Sequence, residues 1–283
     1  MLVSFIGLGN MGAPLAKNIM AAGESLMVYG RTPQRLEPFR EAGAQVAAEI
    51  SDLAVCDVLC TCLPLPEHVA GTVLGENGLY AHMKAGSVHV EFSTIDPGTA
   101  GKLAAAAAEK GIAYVQATVG KTPQMAAHCQ EPLFIGGDRK AVERLMPLFS
   151  KIGQPRDVGT VDASCAVKLL SNLVGMTNLA VLAEGMRIGR LAGMDPKLLV
   201  ELLQDTGARS FQLDVRGPWI AEGDYAARFG VDLALKDVKL GCAMAKNWGY
   251  EPRLMEQACR YYTEASSQGL GDKDCCAVFE ITK

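Results

Sequence analysis

Along residues 1–160, short apolar runs alternate with stretches whose apolar positions recur every three to four residues. The runs Leu2–Ile6, Ser25–Tyr29, Val58–Cys62, Ser87–Glu91, Ile112–Gln116, Leu133–Ile135 and Arg156–Val158 have strand length. Between several of them, Pro14–Ala22, Pro33–Ala42, Glu67–Leu74 and Pro97–Lys110 carry helical periodicity. This alternation predicts an α/β fold built on a doubly wound, mostly parallel sheet. Thr32-Pro33 and Asp96-Pro97 each read as an N-cap followed by proline at the first helical position. Near residue 160 the pattern changes. Residues 162–191 contain no proline and keep a 3.6-residue period, which predicts one helix of roughly 45 Å. Asp195-Pro196 starts another helix, Gly249–Pro252 separates two more, and Thr206–Tyr225, rich in glycine and aromatics, gives no clear element. The expected organisation is an α/β domain over 1–160 and an all-helical domain over 161–283. Gly185 and Gly189 each cost the long helix about 1 kcal/mol against alanine, so a close helix–helix contact is expected there.

Composition narrows the class without changing this picture. Of the 283 residues 49% are apolar and 20% charged, enough for a large core and against disorder. The net charge of −4 is spread without basic or acidic blocks, which argues against a nucleic-acid partner. No apolar run is read as reaching transmembrane length, so no membrane partner is expected. The opening strand is unlike a signal peptide. The nine cysteines form no C-x-x-C pair, which predicts reduced, buried thiols in a cytoplasmic protein. Cys60-Thr61-Cys62 is read as strand packing. No cluster has metal-ligand spacing, so no metal is expected.

The first strand runs directly into Gly7-Leu8-Gly9-Asn10-Met11-Gly12, a G-x-G-x-x-G followed by a helical stretch. In this Rossmann-type context Gly7 permits the tight turn, Gly9 lets the backbone approach a pyrophosphate, and Gly12 lets the helix pack on the strand. Free N–H groups at the helix start then favour the anion. The end of the second strand, where an NAD site places a carboxylate, reads Tyr29-Gly30-Arg31-Thr32. With Arg31 as a guanidinium fork, Thr32 as a hydroxyl and Arg35 one turn on, NADP(H) is expected over NAD(H).

Hydride transfer to a carbonyl needs a proton donor. The four histidines all precede residue 129, and no Y-x-x-x-K pair occurs. Lys168 is the only basic residue between Arg156 and Arg187, set in Val167-Lys168-Leu169-Leu170-Ser171-Asn172, with Asn172 on the same helical face at i+4. Burial would lower its pKa from about 10. On spacing alone it is either a catalytic lysine or one snorkelling to the surface.

The chain resembles the β-hydroxyacid dehydrogenase family, the group of 3-hydroxyisobutyrate dehydrogenase-like enzymes that includes semialdehyde/glyoxylate and sulfolactaldehyde reductases. The resemblance is carried by Phe5 to Ala16, by Phe92-Ser93-Thr94-Ile95-Asp96-Pro97, by Lys168-Leu169-Leu170-Ser171-Asn172 and by Leu233-Ala234-Leu235-Lys236-Asp237. It implies that Lys168 is the general acid/base and that Asn172 orients the substrate. It further implies that Leu63, Pro64, Thr94 and Lys236 border the cofactor, with Asp237 holding Lys236. One segment departs from the family. Its Asp-Ala-Pro-Val-Ser-Gly-Gly substrate loop is here Gln116-Ala117-Thr118-Val119-Gly120-Lys121-Thr122. Thr118, Gly120 and Lys121 are therefore substrate candidates, and Lys121 favours a small aldehyde with an anionic group. Arg209 and Phe229 are candidates for closing the pocket. The expected activity is hydride transfer between NADP(H) and a small anionic aldehyde or keto acid and its hydroxyacid, by a homodimer or homotetramer. The alternatives are a catalytically silent NADP-binding scaffold and an imine reductase. The presence of Lys168 argues against both.

Overall fold

The computed structural model describes residues 1–282. Tertiary contacts divide the chain into two compact units, Met1–Lys168 and Leu169–Lys283.

The first unit runs β1 (Leu2–Ile6), α1 (Gly12–Ala21), β2 (Ser25–Tyr29), α2 (Pro33–Glu41), β3 (Gln45–Val46), β4 (Val58–Thr61) and α3 (Pro66–Val73). It continues with β5 (Val88–Glu91), α4 (Pro97–Glu109), β6 (Ala113–Val119), α5 (Pro123–Ala127), β7 (Pro132–Gly137), α6 (Arg139–Ile152) and β8 (Gln154–Gly159). The strands make one sheet in the order β3-β2-β1-β4-β5-β6-β7-β8. All neighbours are parallel except the antiparallel pair β6–β7. The doubly wound reading therefore holds. Strand order reverses between β1 and β4, and such a switch point opens a crevice at the carboxyl ends of the strands. Helices cover both faces, which is why the central strands are near-continuous apolar runs. Val3, Phe5, Val28, Cys60 and Val90 pack with Leu15, Ile19 and Phe149 in one cluster. Ile6, Leu59 and Tyr114 pack with Val69, Leu103 and Cys165 in another. β3, α5 and α6 were not among the expected elements. α6 contains Pro147, which removes one backbone hydrogen bond, yet it buries Ala141, Val142, Leu145, Leu148, Phe149 and Ile152 at helical spacing. Burial of six apolar side chains outweighs that loss.

α7 (Val161–Leu191) is a single helix that starts in the first unit. The compact units part at Lys168/Leu169, eight residues beyond the boundary expected from the pattern change. The physical cause is that the first two turns of α7 belong to the sheet unit: Ser164 Oγ donates to Phe134 O at 2.6 Å, and Cys165 joins the sheet core. By length and composition α7 could cross a membrane, which corrects the expectation that no apolar run reaches that length. Its buried positions Leu169, Leu173, Met176, Leu179, Ala183 and Met186 recur every three or four residues, as in core helices.

The second unit continues with α8 (Pro196–Gln204), α9 (Phe211–Glu222), α10 (Val231–Asn247) and α11 (Arg253–Ala265). Asp195 caps α8 by accepting from Lys197 N and Leu198 N, both at 3.0 Å. α9 occupies the stretch that gave no clear element. Ser210 caps it through Leu213 N, and it carries Pro218 inside. Of Gly185 and Gly189, where a close contact was expected, Gly189 makes one, since a Cβ there would lie 2.2 Å from Leu199 Cδ2. A Cβ on Gly185 would meet nothing within 4 Å.

Candidate active site

The glycine-rich loop is shaped by three different constraints. Gly7 has φ +103°, and a Cβ there would lie 2.2 Å from Cys62 O. A Cβ on Gly12 would lie 2.0 Å from Gly7 O, so the start of α1 presses on the turn itself. Gly9 is different. A Cβ on it would have only Arg35 Nη1 nearby, at 4.0 Å. That is a cradle walled by glycine backbone and fronted by a guanidinium. α1 begins without a side-chain cap and without an acid in its first turn, which leaves its positive end suited to a phosphate group. The residues present fit a dinucleotide. Leu8 is buried in the sheet core, Asn10 is exposed, and Met11 packs against the same core.

Arg31, Thr32 and Arg35 are exposed beyond the end of β2, and no acid stands there. Thr32 occupies the N-cap position of α2, with Pro33 at the first helical position, but its hydroxyl does not cap the helix. Asp96 behaves as expected, accepting from Thr99 N at 2.9 Å.

At the carboxyl ends of β4 and β5 lies a buried polar chain. Thr61 Oγ1 donates to Glu91 Oε2 at 2.6 Å and lies 2.7 Å from His89 Nε2. His89 Nδ1 lies 2.6 Å from Tyr80 Oη. Since the Thr61 proton goes to Glu91, His89 gives its own Nε2 proton to Thr61 and accepts from Tyr80. Burial pushes the His89 imidazole down to about 3, so it is neutral. Burial also pushes the Glu91 carboxyl up to about 7, against the lowering bonds from Ser93 and Thr61. Ser93 N donates to Glu91 Oε1 at 2.6 Å, and Leu63 N donates to Ser93 Oγ at 2.7 Å. Gln116 Nε2 ties the Glu91 and Ser93 carbonyls at 3.0 and 3.1 Å. Thr94 is half-buried next along the chain, and Pro64 is exposed after Leu63.

The segment at the end of β6 departs from expectation in two places. Thr118 is fully buried and donates to Ser164 O at 3.0 Å, so its hydroxyl is engaged in seating the first turn of α7. The Gly120 N–H is spent on Pro132 O at 2.9 Å. Lys121 is exposed with φ +59°, its Nζ 3.4 Å from Gln130 O. Two residues beyond the last β6–β7 pair, Val119 with Leu133, Glu131 is fully buried with neither carboxylate oxygen hydrogen-bonded. Burial pushes its carboxyl from 4.5 up to about 7, moderated by Lys121. Between those pH values the folded protein holds a proton that the unfolded chain has released. The contribution of this group to stability therefore falls as pH rises through that window and stays low above it. Glu131→Gln should raise the thermal midpoint at pH 8 by a few degrees and change it little at pH 5. Equal shifts at the two pH values, read by calorimetry, would contradict this.

Lys168 is half-buried on α7, at the last position of the sheet unit. Within the helical unit, Asn172 Nδ2 donates to Asp237 Oδ2 at 2.6 Å, while Lys236 Nζ lies 2.7 Å from Asp237 Oδ1. One buried carboxylate thus holds both residues. Arg209 pairs with Asp214, and Phe229 packs against the helical core. Glu91, Ser93, Gln116 and Ser164 were not anticipated. His89, Glu91 and Ser93 alternate along β5 and its end, a period-two polar signal within an apolar run.

A family model described as the NAD binding domain of 6-phosphogluconate dehydrogenase matches residues 2–168. A second, described as NAD-binding of NADP-dependent 3-hydroxyisobutyrate dehydrogenase, matches residues 163–282. The chain is 32% identical to the NAD-dependent L-serine dehydrogenase of Pseudomonas aeruginosa, over 99% of this chain and 97% of that protein. It is 30% identical to the 2-(hydroxymethyl)glutarate dehydrogenase of Eubacterium barkeri, over 99% and 94%. The crystal structure of 3-hydroxyisobutyrate dehydrogenase from Salmonella typhimurium superimposes with a TM-score of 0.91 at 27% identity, covering 99% of each chain.

Proposed function

This chain belongs to the β-hydroxyacid dehydrogenase family and is an NAD(P)-dependent oxidoreductase acting on CH–OH groups, and from that premise we propose an NADP(H)-preferring reductase of a small aldehyde or keto acid that carries an anionic group. The observation that carries the nucleotide preference is the end of β2. Arg31 and Thr32 stand where a ribose-binding carboxylate would, and the Arg35 guanidinium fronts the Gly9 cradle. The Pseudomonas aeruginosa relative is named for NAD, so the preference needs its own test. Arg31→Asp is expected to shift the NADPH/NADH ratio of kcat/KM toward NADH by at least about tenfold, the loss of one charge-assisted phosphate contact. An unchanged ratio would remove Arg31 as a phosphate clamp.

A bound nicotinamide supplies a hydride for the carbonyl carbon. Lys168 holds a proton at Nζ and gives it to the carbonyl oxygen. Asn172, kept in one orientation by Asp237, aligns the substrate, and Lys236 on the same carboxylate borders the cofactor. Lys121 is the cation that receives the anionic end of the substrate beside Gly120. A screen of NADPH oxidation with succinic semialdehyde, glyoxylate, methylmalonate semialdehyde, tartronate semialdehyde and sulfolactaldehyde tests the reading. No turnover with any small anionic aldehyde would count against it.

The assembly we propose is a homo-oligomer. Leu170, Val174, Val181, Ile188 and Leu191 form an exposed apolar stripe on α7, the last being 81% exposed. A second copy of the chain suits such a face, and light scattering that gives the 30.0 kDa monomer mass would refute it. The nine cysteines are not joined in disulfides, which supports a reducing compartment such as the cytoplasm.

A further inference from the structure

The polar chain under β4 and β5 has a direction, and that direction points at the loops. Two donors converge on the Glu91 carboxylate, one from the Thr61 side chain and one from the backbone of Ser93. Ser93 in turn receives the Leu63 N–H on its hydroxyl. One buried acid therefore ties the segment after β4 to the segment after β5. Thr61 is itself held by His89, and His89 by Tyr80, so the carboxylate is anchored from the interior of the sheet unit. A strand end gains nothing in packing from a fully buried charge, and an apolar residue would cost less there. What the acid does supply is a rigid pair of acceptors at the mouth of the crevice.

We propose that Glu91, acting through Ser93, is the positioning residue that fixes the Leu63-Pro64 and Thr94 segments as the nicotinamide end of the cofactor site. The proposal rests on the dehydrogenase reading above. It assigns Glu91 no contact with cofactor or substrate. A carboxamide in its place sets its NH2 group either against the Ser93 N–H or against the Thr61 hydroxyl, which must then turn to accept it and gives up its own donation to residue 91, and so weakens one tie. Ser93→Ala cuts the link to Leu63 while leaving the acid in place.

The test compares affinities for a whole nucleotide and for one that lacks nicotinamide, by fluorescence titration of wild type, Glu91→Gln and Ser93→Ala. The probe pairs are NADPH with 2′-phospho-ADP-ribose, and NADH with ADP-ribose. Each variant is expected to bind the preferred nicotinamide nucleotide about tenfold more weakly, the size of one buried hydrogen bond. The partner probe, held by the glycine loop and Arg31, should keep its affinity within about twofold. A merely structural defect weakens both members of a pair alike, and that result would overturn the proposal, as would undiminished affinity for both in the two variants. Wild-type protein that binds neither NADPH nor NADH removes the cofactor reading, and this proposal with it.

Discussion

Lys168→Ala is expected to lower aldehyde turnover by about 10²–10⁴-fold, the usual contribution of a positioned general acid, while NADPH binding stays close to wild type. Reduction of a carbonyl places negative charge on oxygen as the hydride arrives, and a proton delivered in the transition state removes that charge. Lys168 is half-buried on α7, which keeps its ammonium partly out of bulk water. Its helix is seated on the sheet unit by Ser164 and Cys165, so its backbone is fixed relative to β6 and β7. The effect should fall on kcat, because a proton transferred only in the transition state adds little to ground-state binding. Single-turnover kinetics of bound NADPH with excess aldehyde measure this directly. Near-normal turnover in the variant would take Lys168 out of the mechanism.

The second large effect separates two glycines three residues apart. Gly9→Ala should leave the fold nearly unchanged, because its Cβ would meet only the flexible end of Arg35, at 4.0 Å. The same methyl group fills the space a pyrophosphate needs, so nucleotide affinity should fall by about 10²-fold or more, roughly 3 kcal/mol. Gly12→Ala should do something else. Its Cβ would sit 2.0 Å from Gly7 O, backbone that cannot swing aside, so α1 must shift off the sheet. Overpacking of this kind costs about 1–3 kcal/mol or more. Thermal melts and nucleotide titrations on the two variants should therefore disagree: Gly9→Ala stable but unable to bind, Gly12→Ala unstable as well. A Gly9→Ala protein with wild-type affinity would mean that no pyrophosphate lies over this loop.

Legibility in the sequence differed with the range of the interaction involved. The glycine motif was readable because the positive φ of Gly7 and the contact between Gly12 and Gly7 O act within the turn itself, although the strand end at Cys62 that also presses on Gly7 comes from far along the chain. Lys168 and Asn172 were readable as helical neighbours at i+4, but that Asn172 leans on Asp237, 65 residues away, follows from the packing of α7 and α10. The resemblance supplied Asp237 as a holder of Lys236; its second role on Asn172 emerged only with the fold. Thr118 shows the opposite case. Its place in a substrate-loop pattern suggested a ligand contact, and the fold gives its hydroxyl to Ser164 instead. In the sequence Glu91 merely ends an apolar run. Its importance depends on Thr61 and Ser93, which strand pairing brings to the same point: Thr61 stands opposite Glu91 in the β4–β5 register.

By itself, the order of residues determined the alternation of strands and helices, the nucleotide turn and the change to an all-helical second half. These depend on side-chain periodicity and on local φ/ψ preference, which act within about one turn of chain. Only the tertiary structure decided that helix α7 begins inside the sheet unit, that Glu91 binds two loops together, and that one carboxylate serves both Asn172 and Lys236. Each of those depends on hydrogen bonds between segments far apart in sequence, and their partners are chosen by sheet register and helix packing, which no local pattern encodes.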